Sequence, residues 1–165
     1  MPNSVSRFVG KEILAGLNQK KPLWTCPKCG TKFVSRNIWH SCGPWTVEKF
    51  LEGKGERAKQ LFNSFVKLVQ QCGPFKFAPS KTEIALMVRV RFAQVKRVSD
   101  RGMTCSFWLK HRIQSPRFTR VEKIPPNNWI YTFHVTTPEQ LDSEVLRWVC
   151  MAYKVGQQMP QEKTK

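Results

Sequence analysis

Three cysteines and one histidine near the N-terminus carry the most readable chemistry in this chain. Cys26, Cys29, His40 and Cys42 form the pattern C-x2-C-x10-H-x-C. Three thiolates and an imidazole are donors that zinc takes in a tetrahedron, and four protein ligands leave no position open for water. The set therefore predicts one zinc ion in a structural role, held in a knuckle-like or ribbon-like module. The short spacing of Cys26 and Cys29 aims both sulfurs at one metal across a tight turn, with Gly30 behind the first pair and Gly43 behind the second. A disulfide framework is the competing explanation, and it needs an exported chain. The leading segment MPNSVSRFVG has no long apolar run of the kind an export signal carries. A reducing, cytoplasmic setting is the expectation.

The charge balance points to a partner. Twenty-eight Lys and Arg stand against 11 Asp and Glu, a net charge of +17 over 165 residues. Such an excess is the electrostatic footprint of a polyanion partner, most often nucleic acid, although a generally solvated basic surface gives the same count. A hydrophobic fraction of 41% is enough for a real core. No apolar run approaches the ~20 residues of a membrane span, so no membrane partner is expected. Outside the metal motif, Cys72, Cys105 and Cys150 each fall on an apolar stripe and are expected to be small buried thiols rather than nucleophiles. His111 and His134 lack any flanking motif that would pair them with a catalytic cysteine. No Gly-rich phosphate loop, nucleophile elbow or motif-spaced carboxylate pair is present, which thins the case for an enzyme.

These residues need elements to position them. Residues 1–22 form an arm with a weak helical stripe on Phe8, Ile13, Leu14 and Leu17, and 23–43 is the zinc module. Phe33 is expected beside the metal. Trp24 and Trp39 could pack there too, or present their rings to a base. Residues 44–156 form the main domain, and 157–165 a polar, disordered tail. A short helix over 47–51 precedes a longer one over 56–72, whose Ala58, Leu61, Phe62, Phe65, Leu68, Val69 and Cys72 give one buried face. Gly73 and Pro74 stop it. The period then changes to two. Strands are expected over 75–78, 82–98, 103–111, 117–121 and 129–135, with a hairpin turn over 99–102 and a turn over 125–128. A last helix is expected to start at Thr137, with Pro138 at its first position and Gln140 completing a capping box. Its buried stripe is Leu141, Val145, Trp148, Val149 and Ala152. The order predicts an α+β fold: an antiparallel sheet with helices packed on one face, plus the small N-terminal metal module.

The helix-free face of that sheet is the second candidate site. If Ile84, Leu86, Val88, Val90 and Phe92 face the helices, then Arg89 and Arg91 face outward beside Trp108 and Lys110, with Lys81, Arg112 and Arg117 near the strand ends. Guanidinium groups grip phosphate or carboxylate in a fork, and an indole offers a stacking surface. The set Lys81, Arg89, Arg91, Trp108, Lys110, Arg112 and Arg117 could bind a single strand or a small anionic ligand. Antiparallel sheets also routinely leave one face polar without any ligand.

Two blocks of sequence resemble a known family. One joins residues 23–30 (LWTCPKCG) to 37–43 (NIWHSCG); the other joins SKTEIAL from Ser80, VRFA from Val90, FWLK from Phe107 and PRF from Pro116. Together, from Leu23 to Gly156, they resemble the bacterial domain-of-unknown-function family DUF5655. Related domains beside nuclease-like domains make a nucleic-acid role more plausible by association. The resemblance carries over no functional residue. The leading expectation is a non-enzymatic zinc-containing protein that contacts nucleic acid. The alternatives are a small-anion-binding or enzymatic α+β domain with a purely structural zinc, and an adaptor with an acidic protein partner.

Overall fold

The structure, a computed structural model, describes residues 20–36 and 40–159. The helical stripe expected on Phe8, Ile13, Leu14 and Leu17, the position of Trp39 and the tail beyond 159 lie outside the described residues. The fold is α+β, as expected. A two-stranded sheet pairs β1 (Trp24–Thr25) with β2 (Lys32–Phe33). Two helices follow, α1 (Val47–Leu51) and α2 (Glu56–Gln70). Six antiparallel strands come next: β3 (Lys76–Pro79), β4 (Ile84–Met87), β5 (Arg91–Ser99), β6 (Gly102–Leu109), β7 (Phe118–Ile124) and β8 (Asn128–Val135), in spatial order β3-β4-β5-β6-β8-β7. A 3-10 turn, Pro138–Gln140, leads into the last helix, α3 (Ser143–Gly156). Among the described residues, no helix is long and apolar enough to cross a membrane.

Helices α2 and α3 cover one face of the sheet, and the core lies between the layers. Leu61, Phe62, Phe65 and Val69 of α2 meet Val145, Trp148, Val149 and Ala152 of α3 over Val95, Met103, Cys105, Phe107 and Phe133, all buried. Trp148 stacks on Phe107 with ring centroids 5.7 Å apart and tilts against Phe118 at 4.7 Å. Ring pairs at these separations add about 0.5–1.5 kcal/mol beyond their buried area. The opposite face carries a buried polar row, in which Gln94 pairs across to Ser106 and Ser106 to Thr132. Ser106 and Thr132 satisfy each other through a 2.8 Å hydroxyl contact.

Three expectations need correcting. The single strand over 82–98 is a hairpin: β4 turns back at Val88–Val90 and pairs antiparallel with β5, Ile84 opposite Val95. The turn has no Gly, Pro or Asn to signal it. The end of α3 holds it instead, because the Gly156 carbonyl accepts from the backbone N–H groups of Arg89 and Val90, at 2.9 and 3.1 Å. Helix ends leave carbonyls without intrahelical partners, so this bend and that helix satisfy each other. A bulge beside Met87 then changes the alternation, so Ala93 and Val95, not Val90, are the partners of the helix-facing Leu86 and Ile84.

The last helix is two elements. The capping box of Thr137 and Gln140 is present, but it closes the 3-10 turn. Helix α3 has its own N-cap, Asp142, whose carboxylate accepts from Glu144 and Val145 N–H. Cys72 and Cys150, expected to be separate thiols, form a disulfide that ties the end of α2 to α3 across 78 residues. Their Cα atoms are 5.1 Å apart, inside the roughly 4.4–6.8 Å that disulfides require. Only the packing of the two helices brings these positions together. Cys105 stays free and fully buried, and burial pushes its thiol pKa up.

Candidate metal centre and basic clefts

The turn between β1 and β2 builds the first half of the metal site. Gly30 N–H donates to the Cys26 carbonyl and Cys26 N–H to the Thr31 carbonyl, at 2.8 and 2.9 Å. Gly30 has φ +71°, a left-handed conformation that glycine adopts without steric cost. Gly43 does something different. Its backbone is not left-handed, but a Cβ there would lie 2.3 Å from Nε1 of Trp45. The absence of a side chain lets the indole lie against the ligand loop. The second half of the site follows Asn37–Trp39 and brings His40 and Cys42 back over the turn.

All four donor atoms lie within 4.8 Å of one another. The Cys26 and Cys42 sulfurs are 3.7 Å apart. His40 Nε2 is 3.3 Å from Cys29 Sγ and 2.9 Å from Cys42 Sγ. A tetrahedron with metal–sulfur bonds of about 2.3 Å has edges of about 3.8 Å. The chemistry and spacing of the donors therefore fit a metal ion. Phe33 is buried beside them, its ring 4.3 Å from that of His40, as expected. Burial opposes ionisation of Cys26, but backbone N–H groups of Cys29 and Lys28 outweigh it and bring the pKa to about 6. Burial also opposes ionisation of Cys29, and Thr31 reverses the balance to lower that thiol. Burial pushes Cys42 up to about 11, reinforced by the neighbouring Cys26 and Cys29 sulfurs. Three adjacent sulfurs resist carrying three charges, and a cation among them removes that conflict.

The module rests on the main sheet. Cys26, Phe33 and Met87 share a small buried cluster, with Trp24 and Ala78 packed against it. Between the two parts lies a cleft of about 610 Å³, whose walls include His40, Trp45, Ser80, Lys81, Glu83 and Arg91. A second cleft of about 530 Å³ opens where the ends of β5 and β6 meet the end of α3, bounded by Arg91, Trp108, Lys110 and Asn128 and by Val155, Gln158 and Met159. Arg91 stands in the walls of both.

The seven candidate ligand residues divide accordingly. Lys81 is exposed at the β3–β4 turn. Arg91 opens β5 and pairs with Glu83 at 3.5 Å. Trp108 is half-buried on the helix-free side of β6, and Lys110 donates to Asn128 Oδ1 at 2.6 Å. Arg89 is in the bend after β4, where Nε donates to Gln158 Oε1 at 3.0 Å and Nη2 to the Lys21 carbonyl at 2.6 Å. Arg112 lies over the ring of Trp129, 5.7 Å from its centroid. Arg117 is built into the scaffold: Nη1 donates to Asp142 and Glu144 at 2.9 and 3.0 Å, and the guanidinium covers Trp148 at 5.4 Å. The structure thus places Lys81, Arg91, Trp108 and Lys110 in the walls of two clefts that share Arg91, and gives Arg89, Arg112 and Arg117 other contacts. Trp45, Ser80 and Thr82 line the first cleft unforeseen. Pro44 and Trp45 read as a helix start; in the structure the indole lies against Gly43, two residues before it, and lines the cleft.

Residues 47–156, from α1 to the end of α3, match the family model described as a domain of unknown function, DUF5655. The resemblance seen from Leu23 onward therefore reaches further toward the N-terminus than the matched segment, which leaves the Cys/His module outside. Neither the curated proteins nor the solved structures give a match. The matched segment contains the whole six-stranded sheet and both packed helices, so the chain belongs to the DUF5655 family.

Proposed function

We propose that this protein is a zinc-containing binding protein that contacts nucleic acid along the helix-free face of its sheet. The observation that carries the reading is the position of Arg91 in the walls of two adjoining clefts, with Lys81 on one side and Trp108 and Lys110 on the other. Cations that follow a path, interleaved with an aromatic surface, suit a single strand: phosphates meet the cations and an unpaired base stacks on the ring. The net charge of +17 supplies the long-range attraction. Zinc is the metal that three thiolates and an imidazole favour, and its role is structural because four protein ligands fill a tetrahedron.

The test is binding of labelled single-stranded and duplex oligonucleotides over a salt series. The logarithm of affinity should fall linearly with the logarithm of salt. Replacing both Arg91 and Lys110 by Ala should weaken binding and flatten that slope by about one unit for each phosphate no longer neutralised. Trp108→Ala should cost single-strand affinity more than duplex affinity. Affinity and slope unchanged in the double variant would return these residues to the ordinary solvated side of an antiparallel sheet.

A smaller anionic ligand is the second reading. The 610 Å³ cleft favours it, having the size of small-molecule sites, about 300–1,000 Å³.

A further inference from the structure

We propose that the cleft between the Cys/His module and the β3–β4 turn binds one nucleotide unit, phosphate on the Lys81–Arg91 wall and base on the Trp45 wall, and that the metal holds the second wall in place. This rests on the phosphate-binding chemistry proposed above and deepens it to a defined site.

The two walls differ in charge. On the sheet side, Ser80 and Glu83 close a tight turn: Ser80 N–H and hydroxyl both donate to the Glu83 carbonyl, and Ser80 Oγ accepts from Glu83 N–H. Lys81 and Thr82 stand at the tip of that turn, both exposed. Lys81 makes no ion pair among the described residues. Glu83 lies in the same wall and gives its carboxylate to Arg91 through a single 3.5 Å contact. A guanidinium has five N–H donors, so most of those of Arg91 stay available. An ammonium and a guanidinium beside a hydroxyl make a wall suited to a phosphate.

The module side is the reverse. Its lining residues include no Lys, Arg, Asp or Glu, and His40 and Trp45 offer ring surface instead. Trp45 is half-buried against Gly43 and pairs with no other ring among the described residues. A ligand with a charged end and a flat, apolar end matches both walls in one orientation. At about 610 Å³ the cleft is far larger than an inorganic phosphate needs and lies within the range of small-molecule sites.

The metal enters through the wall it builds. His40, Ser41 and Gly43 all line the cleft, and they include or adjoin the ligands His40 and Cys42. Ligation ties this segment to Cys26 and Cys29 on the β1–β2 turn. Loss of the metal therefore loosens one wall, and by linkage a ligand that needs both walls tightens metal retention by the factor by which the metal tightens the ligand.

The experiment is titration calorimetry of the full chain with adenosine 5′-monophosphate, inorganic phosphate and a 5′-phosphorylated oligothymidylate. Metal-loaded and chelator-treated samples are compared, with circular dichroism to verify that the main domain stays folded. The nucleotide should bind more tightly than phosphate, and Lys81→Ala should weaken both by about tenfold, equivalent to about 1.4 kcal/mol. Trp45→Ala should bring nucleotide affinity down to that of phosphate, and Trp45→Phe should restore part of it. Chelation should weaken the nucleotide at least tenfold, and the nucleotide should slow metal loss to a chromogenic chelator. A nucleotide as tight as the oligomer identifies a free nucleotide as the source; a tighter oligomer identifies a strand end. The inference falls if the nucleotide does not bind at millimolar concentration, or if neither Lys81→Ala nor chelation changes its affinity. Salt-dependent oligonucleotide binding that persists in that case leaves the sheet-face reading standing alone.

Discussion

Cys29 is an exposed member of the donor set, and its loss has a definite consequence. Its sulfur meets His40 Nε2 at 3.3 Å and is held by Thr31, so a serine hydroxyl in its place keeps the turn and removes a soft ligand. Elemental analysis of the wild-type chain should give one zinc per molecule, and Cys29→Ser should lower zinc affinity by several orders of magnitude. Structural zinc contributes about 10–16 kcal/mol of apparent binding energy in small modules at neutral pH. A Cys29→Ser protein that retains stoichiometric zinc after dialysis against chelator would refute the four-ligand site. At Gly43 the sequence suggested a second turn glycine like Gly30, and the indole of Trp45 is the actual reason for it.

Two helix starts are held by acids, and both are testable. The N-cap of helix α2 is Gly55, which has no side chain to cap it. Asp100, in the β5–β6 hairpin, supplies the missing acceptor from 42 residues away, taking the Ala58 N–H at 2.9 Å. Asp100→Ala should therefore destabilise the protein by about 1 kcal/mol, the usual cost of losing a cap, whereas a role confined to the hairpin would leave the α2 amides as protected from hydrogen exchange as before. Asp142 caps α3 and also receives both Arg117 contacts at 2.9 Å. Burial works against its ionisation, but Arg117 and the Val145 N–H prevail and hold its pKa below the ordinary 3.8. An acid with a depressed folded pKa lends stability that is fully present above the ordinary value and lost as pH falls through the folded one. Asp142→Asn should thus lower the melting temperature at pH 7, and the gap from wild type should close on acidification below about pH 4. A gap that stays constant down to about pH 2 would show that the charge is not what matters.

Among the described residues the molecule has one large core and one small shared one, and this decides how its parts depend on each other. The cluster between α2, α3 and the sheet includes, among the described residues, nothing from the module, so a chain starting at residue 44 should still unfold in a single cooperative transition. It should nevertheless be less stable, because Met87 and Ala78 lose their cover. Exposing a buried methionine alone costs about 1.5–3 kcal/mol. A non-cooperative, dye-binding product would mean that the module completes the main core. The sequence by itself determined the donor set, the α+β class, the buried faces of the two long helices and the hairpin at Asp100, because each is written in local spacing or in a period of about 2 or 3.6. Contacts between distant residues decided the rest. The Gly156 carbonyl turns Val88–Val90 into a bend, α2 against α3 brings Cys72 to Cys150, and Asp142 and Glu144 claim Arg117 for the scaffold. The cleft beside Lys81 and Arg91 is of the same kind. Neither wall alone encloses it, and residues 40 and 91 come to line one cleft only where the module packs on Met87.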